Sequence, residues 1–393
     1  MTVQTYIVQI KANENTLRFF KNMLGQQARA YNHCADIIRD QHVPLSLKTI
    51  HEAVYATLRT TYPELPAQTI IKTYKSVLGA YRAIRANKHK ANTPRQKKLS
   101  TVLDKRLYAN FDVNGIDLTG ETPHKRTRYE FMMYDKMRAM FDQYKTKDPT
   151  LFIRNDRLYL SVPFEIPEKP VMNDNACGVD LGIKRMFVTS EGKAFRDKTY
   201  LRARRNIRYL KSRLQKKGTK SARRHLRTLR RREANMSKDV QYRAVKRLLG
   251  STSADVIVLE DLSKIKTRTG KTSGGFRRRS HNNMMSQVPF YGFRIKLSAK
   301  APLYGKKVET VNPAFTSQKD SRSGKKDGIR KGCRYYCKDG VVLDADWNAA
   351  VNIAKKGKHP VSNVLPVDGG VMFLTGRAQS TAQSYVNPIR CSA

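Results

Sequence analysis

A carboxylate lies inside an apolar, strand-like run near the middle of the chain. The stretch ACGVDLGIKRMFVTSEGKAF, residues 176–195, places Asp180 between Val179 and Leu181. Burial disfavours an ionised carboxylate unless a partner compensates for the lost hydration. A divalent cation is such a partner, and it normally needs more than one carboxylate ligand. The run therefore predicts a hairpin of two buried strands that holds Asp180 at a candidate metal site.

Two further acids occupy comparable positions. Glu260 lies near the end of the apolar run ADVIVLEDL, residues 254–262, which predicts a buried strand, and Asp346 opens the predicted helix ADWNAAVNIAKKG, residues 345–357. Hard oxygen ligands suit Mg²⁺ or Mn²⁺, and convergent carboxylates can hold two such ions. Each acid also has a structural alternative: a turn cap at Asp180, an ion pair at Glu260 and a helix N-cap at Asp346.

The charge of the chain predicts a polyanionic partner. There are 77 Lys and Arg against 32 Asp and Glu, a formal net charge of +45. Nucleic acid is the first candidate for such a surplus, because solubility alone favours acidic residues. Cations are densest over residues 200–232, where apolar residues at helical spacing predict two basic helices broken near Gly218. The residues expected to contact nucleic acid are Arg202, Arg205, Arg208, Lys211, Arg223, Arg224, Arg227 and Arg231, with Lys72, Lys75 and Arg82 on the predicted helix 66–88.

Cysteine content and hydropathy predict a cytoplasmic protein. The five cysteines are few and odd in number for 393 residues, which favours a reducing compartment over a disulfide framework. No apolar run is long enough to predict a membrane span, which needs about 18 residues. The N-terminal MTVQTYIVQIKANENTL lacks a signal-peptide pattern.

The first 168 residues predict a β unit with inserted helices. LFIRNDRLYLSVPF, residues 151–164, predicts a hairpin that turns at its Asn-Asp pair. KRLYANFDVNGIDLTG, residues 105–120, predicts two short strands that turn at Asn114-Gly115. The Met-rich residues 128–144 fit a helix and a long strand equally well.

Three motifs resemble a known family. GVDLGIKRMFVTSEG, VIVLEDLSKIK and DADWNAAVNIAKKG resemble the three RuvC motifs of transposon-encoded TnpB proteins and of small type V CRISPR effectors. YGKKVETVNPAFTSQKDSRSG resembles the segment before the family's zinc ribbon, and the strands at 105–120 and 151–164 resemble parts of its wedge domain. The resemblance covers most of residues 1–357. It implies an RNA-guided DNA endonuclease of a prokaryotic or phage-infected cell, in which guide RNA pairs with double-stranded target DNA.

The resemblance also implies an architecture. The implied fold class is α/β multidomain, with an RNase H-like RuvC nuclease domain and an N-terminal β-barrel (wedge) domain that carries a helical recognition insertion. The strand TYIVQI and helix 66–88 are expected to contact guide RNA and the flanking duplex. The implied domains are the wedge at 1–15 and 100–168, the helical insertion at 16–99, the RuvC domain at 174–316 with a basic helical pair at 200–250, a degenerate zinc-ribbon-like hairpin at 317–340, the third motif with its helix at 341–357, and a tail at 358–393.

The family's catalytic acids correspond to Asp180, Glu260 and Asp346. They would bind two Mg²⁺ or Mn²⁺ ions, one to activate a water and one to stabilise the leaving oxygen of a phosphodiester. Asp344 is the near competitor of Asp346, and its register before ADWNAA makes it the less suitable ligand.

The ribbon departs from the family's two CxxC pairs. The first pair is expected near residues 320–323, where the chain has Asp-Ser-Arg-Ser, and Cys333 and Cys337 are one residue too far apart. Structural zinc usually has four ligands, so these two thiolates are insufficient unless Asp320 or a histidine contributes. Zinc at Cys333 and Cys337 stays an open alternative, and a zinc-free hairpin is favoured.

Three other functions remain as alternatives. An RNA-guided DNA binder that represses without cleavage is disfavoured by the three acids, although the altered ribbon keeps it open. A guide-independent RuvC-type nuclease would need the acids but neither the helical insertion nor so much charge. For a plain RNA-binding protein, the three acids would be a coincidence.

Overall fold

The computed structural model describes residues 1–87, 93–119, 125–262 and 290–361. The chain divides into two compact units, Met1–Pro167 and a second unit that begins at Glu168. The last four residues of the second motif, 263–266, and most of the predicted tail at 358–393 lie outside the described residues. None of the helices in the described ranges is long and apolar enough to cross a membrane.

An antiparallel sheet forms the base of the first unit. Its strands are β1 (Thr2–Ile10), β2 (Ser100–Val102), β3 (Tyr108–Ala109), β4 (Gly115–Thr119), β5 (Arg126–Met132), β6 (Lys145–Thr146), β7 (Thr150–Arg154) and β8 (Arg157–Ile166). The order is β2-β7-β8-β1-β5-β4-β3, and β6 pairs with β8. No pairing among the described residues joins the edge strands, so the sheet is a half-barrel and the implied closed barrel is not formed. The edges β2 and β3 have only three and two residues, too few to form an extended closing ladder.

Local chemistry explains the turns of this sheet. Asn155 and Asp156 both have positive φ, 50° and 53°, which is the geometry of a tight two-residue hairpin between β7 and β8. The prediction for 151–164 is therefore confirmed. The two short strands predicted in 105–120 are confirmed as β3 and β4, but the turn precedes the predicted Asn114-Gly115 pair, because Gly115 already belongs to β4. The Asp112 carboxylate instead accepts hydrogen bonds from the Asn114 and Gly115 backbone N–H groups, so the turn begins at Asp112.

Helices in the first unit are α1 (Glu14–Asp40), α2 (Leu47–Thr61), α3 (Ala67–Ala86) and α4 (Asp135–Gln143). The first three pack around one apolar core that includes the fully buried Ile50, Val54 and Ile70. The undecided segment 128–144 contains both predicted elements, since β5 ends at Met132 and α4 follows.

A mixed sheet forms the centre of the second unit. The strands are β9 (Ala176–Asp180), β10 (Phe187–Thr189), β11 (Ala194–Phe195), β12 (Val256–Glu260), β13 (Lys307–Val311), β14 (Ile329–Lys331), β15 (Arg334–Tyr336) and β16 (Val342–Asp344). Five of them follow the order β11-β10-β9-β12-β13, in which β9, β12 and β13 are parallel neighbours. The predicted hairpin after residue 176 and the buried strand before Glu260 are confirmed. The last three strands form a separate antiparallel sheet.

Helices in the second unit are α5 (Lys198–Lys217), α6 (Lys220–Ser251), α7 (Phe290–Lys300) and α8 (Ala345–Lys356). Gly218 ends α5 with φ of 64°, a conformation that glycine adopts without steric cost, so the predicted break is confirmed. The first half of α6 is basic. Its second half buries Ala244, Val245 and Leu248 in a core shared with residues of β9 and β12.

Helix α8 lies in close contact with β9. A Cβ atom on Gly178 would lie 2.0 Å from the Ala350 carbonyl oxygen and 2.4 Å from the Ala354 nitrogen. Only glycine permits this approach of helix backbone to strand. The contact brings the helix that carries Asp346 against the strand that carries Asp180.

Candidate active site and nucleic-acid surface

Three acidic residues meet at one end of the central sheet. Val179 and Leu259 are register partners on the parallel strands β9 and β12, so Asp180 and Glu260 follow side by side at the strand ends. Asp346 lies in the first turn of α8. Burial, together with the negative charges of Asp346 and Glu260, raises the pKa of Asp180 to about 8. The structure thus brings together the three acids that the sequence singled out, within electrostatic reach of one another.

Glu260 is the second strand-borne acid. It is partly buried, and burial raises the pKa of its carboxyl group. The Thr316 hydroxyl donates a hydrogen bond to Oε1 of Glu260. This contact stabilises the ionised form and opposes the effect of burial.

Asp346 is contacted by two arginines. Arg185 donates from Nε and from one terminal nitrogen to Oδ2, at 3.1 and 2.6 Å. Arg330, on β14, donates to Oδ1 at 2.8 Å. The side chain of Asp346 is only 22% exposed, so these guanidinium groups are the counter-charges that compensate for its partial burial.

Asp344 has a structural role in the same network. Its Oδ1 accepts hydrogen bonds from the backbone N–H groups of Asp346 and Trp347 and caps α8. Arg185 also binds Asp344 through two parallel hydrogen bonds of 2.7 and 2.8 Å. Burial lowers the pKa of Arg185, but the contacts with Asp344 and Asp346 outweigh it and raise that pKa above its ordinary value. The carboxylate of Asp344 is thus occupied by the helix cap and by its ion pair with Arg185.

Sequence reasoning missed Arg185, Arg330 and Thr316. For Arg185 the signal was only partial, because a cation beside apolar residues needs an acidic partner when it is buried, but the adjacent Lys184 is equally cationic and is exposed. Thr316 lies in the segment 304–324 that the family resemblance covers, but nothing in that segment or around Arg330 marks either residue as a contact of the acids. Only the fold brings them to the acids.

The donor chemistry of the three acids fits hard divalent cations. Carboxylate oxygens are the ligands that Mg²⁺ and Mn²⁺ prefer, and a cation would relieve the repulsion that raises the pKa of Asp180. Within the described ranges, however, no three His, Cys, Asp or Glu side chains are arranged to hold a metal ion. A physical reason for the missing metal geometry is that Arg185 and Arg330 already donate hydrogen bonds to both carboxylate oxygens of Asp346.

Replacing Arg185 by lysine is expected to lower the free energy of unfolding by about 1–2 kcal/mol. Lysine keeps the charge but cannot form two parallel hydrogen bonds with Asp344 while also contacting Asp346. Denaturant unfolding followed by fluorescence measures the loss. An unchanged midpoint with an unchanged m-value would contradict the structural role of this arginine.

The predicted nucleic-acid residues of the second unit lie on α5 and α6. The exposed members are Arg202, Arg205, Arg208, Arg223, Arg224, Arg227 and Arg231. Lys211 differs, because it is half-buried and forms an ion pair with Glu233. The arginines are accessible to a phosphate backbone, and their role in binding remains a prediction.

The three predicted contacts on α3 are less uniform. Lys72 forms ion pairs with Asp104 at 3.0 Å and Asp148 at 3.2 Å, so it is already engaged within the first unit. Lys75 is exposed, and Arg82 is exposed beside the Leu45 carbonyl oxygen. The structure therefore favours Lys75 and Arg82 over Lys72 as contacts for nucleic acid.

Exposed tyrosines accompany the cations of the second unit. Tyr209 on α5 is 62% exposed, and Arg213 lies 5.8 Å from its ring centre. Tyr242 on α6 is 48% exposed, and Lys296 and Lys300 each lie 5.3 Å from its ring centre. Aromatic faces beside cations are suited to stacking with bases, a feature that the charge pattern alone did not reveal.

Comparisons with known proteins agree with the motifs. A family model described as the TNB domain of Cas12f1-like proteins matches residues 290–353. TnpB-like proteins L79 and R854 of Acanthamoeba polyphaga mimivirus are each 26% identical to this chain over 233 residues. The match covers 54% of this chain and 44% of each relative, so the chain spans less than half of their length.

A solved structure supports the same resemblance at the level of the fold. The cryo-EM structure of a Cas12f1-sgRNA-target DNA complex aligns with a TM-score of 0.61 and 14% identity, over 87% of this chain and 83% of that chain. At this identity the likeness concerns the fold alone. The chain is therefore similar to TnpB-like and Cas12f1-like proteins and shares an α/β multidomain fold with the solved Cas12f1 structure, so the resemblance predicted from its motifs is confirmed.

Proposed function

We propose that this chain is an RNA-guided DNA endonuclease with one nuclease centre at Asp180, Glu260 and Asp346. The observation that carries the proposal is the convergence of these acids, where burial and neighbouring charge raise the pKa of Asp180 to about 8. Such repulsion destabilises the folded state, and a cationic ligand or a phosphate-bound metal would compensate for it. The centre lies in a proposed RNase H-like RuvC domain at 174–316, completed by the third motif at 341–357.

Two Mg²⁺ or Mn²⁺ ions are the proposed cofactors, with Asp180, Glu260 and Asp346 as their ligands. When bound, such ions supply Lewis-acid stabilisation of the phosphate and lower the pKa of a water molecule. The chain's own contribution is orientation. Arg185 keeps its bidentate contact with Asp344 and thereby holds the first turn of α8, and with it Asp346, at the end of the sheet.

Guide RNA and double-stranded target DNA are the proposed partners. The exposed arginines of α5 and α6 and the tyrosines beside them would bind the backbone and bases of the guide–target duplex or of the displaced strand. In the first unit we propose a wedge-type sheet at 1–15 and 100–168 with a recognition insertion at 16–99. Base pairing would supply sequence specificity, and the protein would recognise a short flanking motif.

Replacing Arg223, Arg227 and Arg231 together by glutamine is expected to weaken nucleic-acid binding and to reduce the salt dependence of log K by roughly 2 to 3. The three side chains are exposed and four residues apart on α6, so they line one helix face. Fluorescence anisotropy with a guide-length RNA at several salt concentrations measures the slope.

The matched control removes three cations of the second unit that already have carboxylate partners. Arg243, Arg294 and Lys307 pair with Asp239, Asp261 and Glu309, so their replacement by glutamine should change the slope much less. Equal slopes for the two triple variants would argue against α6 as a binding surface.

An RNA-guided binder without cleavage activity is the second candidate. It is favoured by one observation, the engagement of both Asp346 oxygens by Arg185 and Arg330. A nuclease must free at least one of these oxygens when metal and substrate bind. A binder would keep both ion pairs.

Sequencing of the RNA that co-purifies with the protein, expressed with its native flanking DNA, tests the proposal. One abundant species with a defined structured end, encoded beside the gene, supports guidance and supplies the reagent for a Mg²⁺-dependent cleavage assay. Binding of matched DNA without cleavage selects the repressor. Mixed host RNA, or none, contradicts guidance and leaves the guide-independent nuclease, which is then assayed on branched and plain duplex DNA.

A further inference from the structure

The ribbon-like segment holds an ion-pair cluster around one buried carboxylate, where the family resemblance implies zinc. Asp320 lies where the first cysteine pair is expected, and its side chain is only 4% exposed. Arg322 donates hydrogen bonds to Oδ2 of Asp320 at 3.0 Å and to Oδ1 of Asp339 at 2.8 Å. Asp339 belongs to the loop between β15 and β16. One guanidinium therefore connects the two loops that a ribbon metal would connect.

The residues present do not fit a zinc ion. Structural zinc usually has four ligands, but the Asp320 carboxylate already accepts hydrogen bonds from Arg322, at 3.0 Å, and from the Cys337 thiol. Burial raises the pKa of Asp320, but Arg322 and Cys337 outweigh burial and lower it. Asp320 is thus an ionised carboxylate that already has cationic and thiol donors. No set of three metal-ligating side chains occurs here in the part of the chain that the structure describes.

The loop that contains Asp320 also forms hydrogen bonds with α8. Asn348 accepts a hydrogen bond from the Ser321 N–H at 2.7 Å and donates one to the Lys319 carbonyl oxygen at 2.7 Å. Asn352 donates to the carbonyl oxygens of Thr316 and Lys319, at 2.9 and 2.8 Å. These amide side chains fix the backbone of the loop, a task that metal coordination performs in a zinc ribbon. These side-chain contacts, with the backbone hydrogen bonds between Asp320 and both Gly324 and Lys325, hold the loop in shape.

We propose that the guanidinium of Arg322, bridging Asp320 and Asp339, takes the structural place of zinc, so that the ribbon folds and holds α8 without a metal ion. A cation at the centre satisfies two carboxylates, as zinc satisfies thiolates, and bidentate geometry adds direction. Because Asp320 is buried, removing the arginine leaves an uncompensated charge. The inference does not depend on nuclease activity.

The chain contains its own reporter for this cluster. Trp347 is the one tryptophan of the sequence and is 1% exposed. It packs in a core with Tyr335, Cys337 and Leu343, and the Cys337 thiol forms a hydrogen bond with Asp320. Its fluorescence therefore reports the packing of the ribbon against α8.

The first test uses the full chain, purified without added metal and without a metal-affinity step. We expect a zinc content far below one ion per chain by elemental analysis. We also expect the same Trp347 emission and the same thermal midpoint with EDTA, without EDTA, and after addition of ZnCl₂. A stoichiometric zinc ion, with a red-shifted emission or a lowered midpoint after chelation, would overturn the proposal.

The second test compares Arg322→Met with Arg243→Met. Arg243 also bridges two carboxylates of the second unit, Asp197 at 2.7 Å and Asp239 at 3.0 Å, but its side chain is 53% exposed. The thermal midpoint followed by Trp347 should fall by about 5 °C or more for Arg322→Met and by much less for Arg243→Met. Equal shifts would overturn the proposal.

A milder variant covers the case in which Arg322→Met does not fold. Arg322→Lys keeps the charge but loses the planar pair of donors, Nε at 3.4 Å and one terminal nitrogen at 3.0 Å, that contacts both oxygens of Asp320. The thermal midpoint of Arg322→Lys should lie between those of wild type and Arg322→Met, and EDTA should not change it. A midpoint equal to that of wild type, or one that becomes sensitive to zinc, contradicts the bridging role of Arg322.

Discussion

Replacing Asp180 by asparagine is expected to reduce DNA cleavage at least ~10³-fold while leaving binding of RNA and DNA unchanged. The amide keeps the shape of the side chain but removes the negative charge that a divalent cation needs as a ligand. Because Asp180 lies at a strand end inside the sheet, the variant should keep the surface that contacts nucleic acid. Single-turnover cleavage and electrophoretic mobility shifts measure the two properties separately.

The control for this variant is Asp239→Asn. Asp239 is 66% exposed on α6 and pairs with Arg243, so its replacement should leave the cleavage rate close to that of wild type. If Asp180→Asn cuts DNA at the parental rate, the three acids are not the nuclease centre.

The same substitution has a pH-dependent effect on the metal-free protein. The pKa of Asp180 is about 8 in the folded state and near the ordinary 3.8 in the unfolded state. Between these values the unfolded state binds fewer protons, so this group lowers stability by up to about 1.4 kcal/mol for each unit that the pH rises. Asp180→Asn removes that loss. In EDTA, the variant should exceed wild type in stability most strongly at pH 8, and the difference should shrink towards pH 4. A difference that is the same at every pH would contradict the assignment.

Replacing Gly178 by alanine is expected to destabilise the second unit by about 3 kcal/mol or more and to abolish cleavage. The new methyl carbon would lie 2.0 Å from the Ala350 oxygen and 2.4 Å from the Ala354 nitrogen, both of them backbone atoms that cannot rotate away. Helix α8 must therefore move from β9, and Asp346 moves with it. Thermal unfolding followed by Trp347 fluorescence, together with the cleavage assay, measures both consequences.

Gly79→Ala is the matched control. Gly79 lies within α3, and a Cβ atom there would meet nothing within 4 Å. Alanine should raise stability by about 0.5–1 kcal/mol, because it restricts the unfolded chain and favours the helix. A Gly178→Ala protein with wild-type stability and activity would show that the close contact between α8 and β9 is not required.

Several features of the fold were predictable because their causes are local. Gly218 ends α5 in the left-handed conformation, and the Asn155-Asp156 pair makes the tight turn of its hairpin. Alternation of apolar and polar residues placed β8, in which every second side chain is buried. The segment 128–144 was undecided since it contains a strand and a helix in succession, and no single period fits it.

The sequence by itself determined which residues form the candidate site. Asp180, Glu260 and Asp346 stand out because each acid ends or opens an element that is rich in apolar residues, a pattern that is visible within about ten positions. The net charge of +45 likewise follows from composition and indicates a polyanionic partner without any fold.

Only the tertiary structure decided what surrounds those acids. Arg185 and Asp346 are 161 residues apart in the chain, and Arg330 reaches the same carboxylate from a different sheet. The bridge from Arg322 to Asp320 and Asp339 depends on two loops that meet in space. The open edges of the first sheet depend on strand length and pairing. Local patterns cannot supply these facts, because the energy of an ion pair or a strand pairing depends on which distant groups burial brings together.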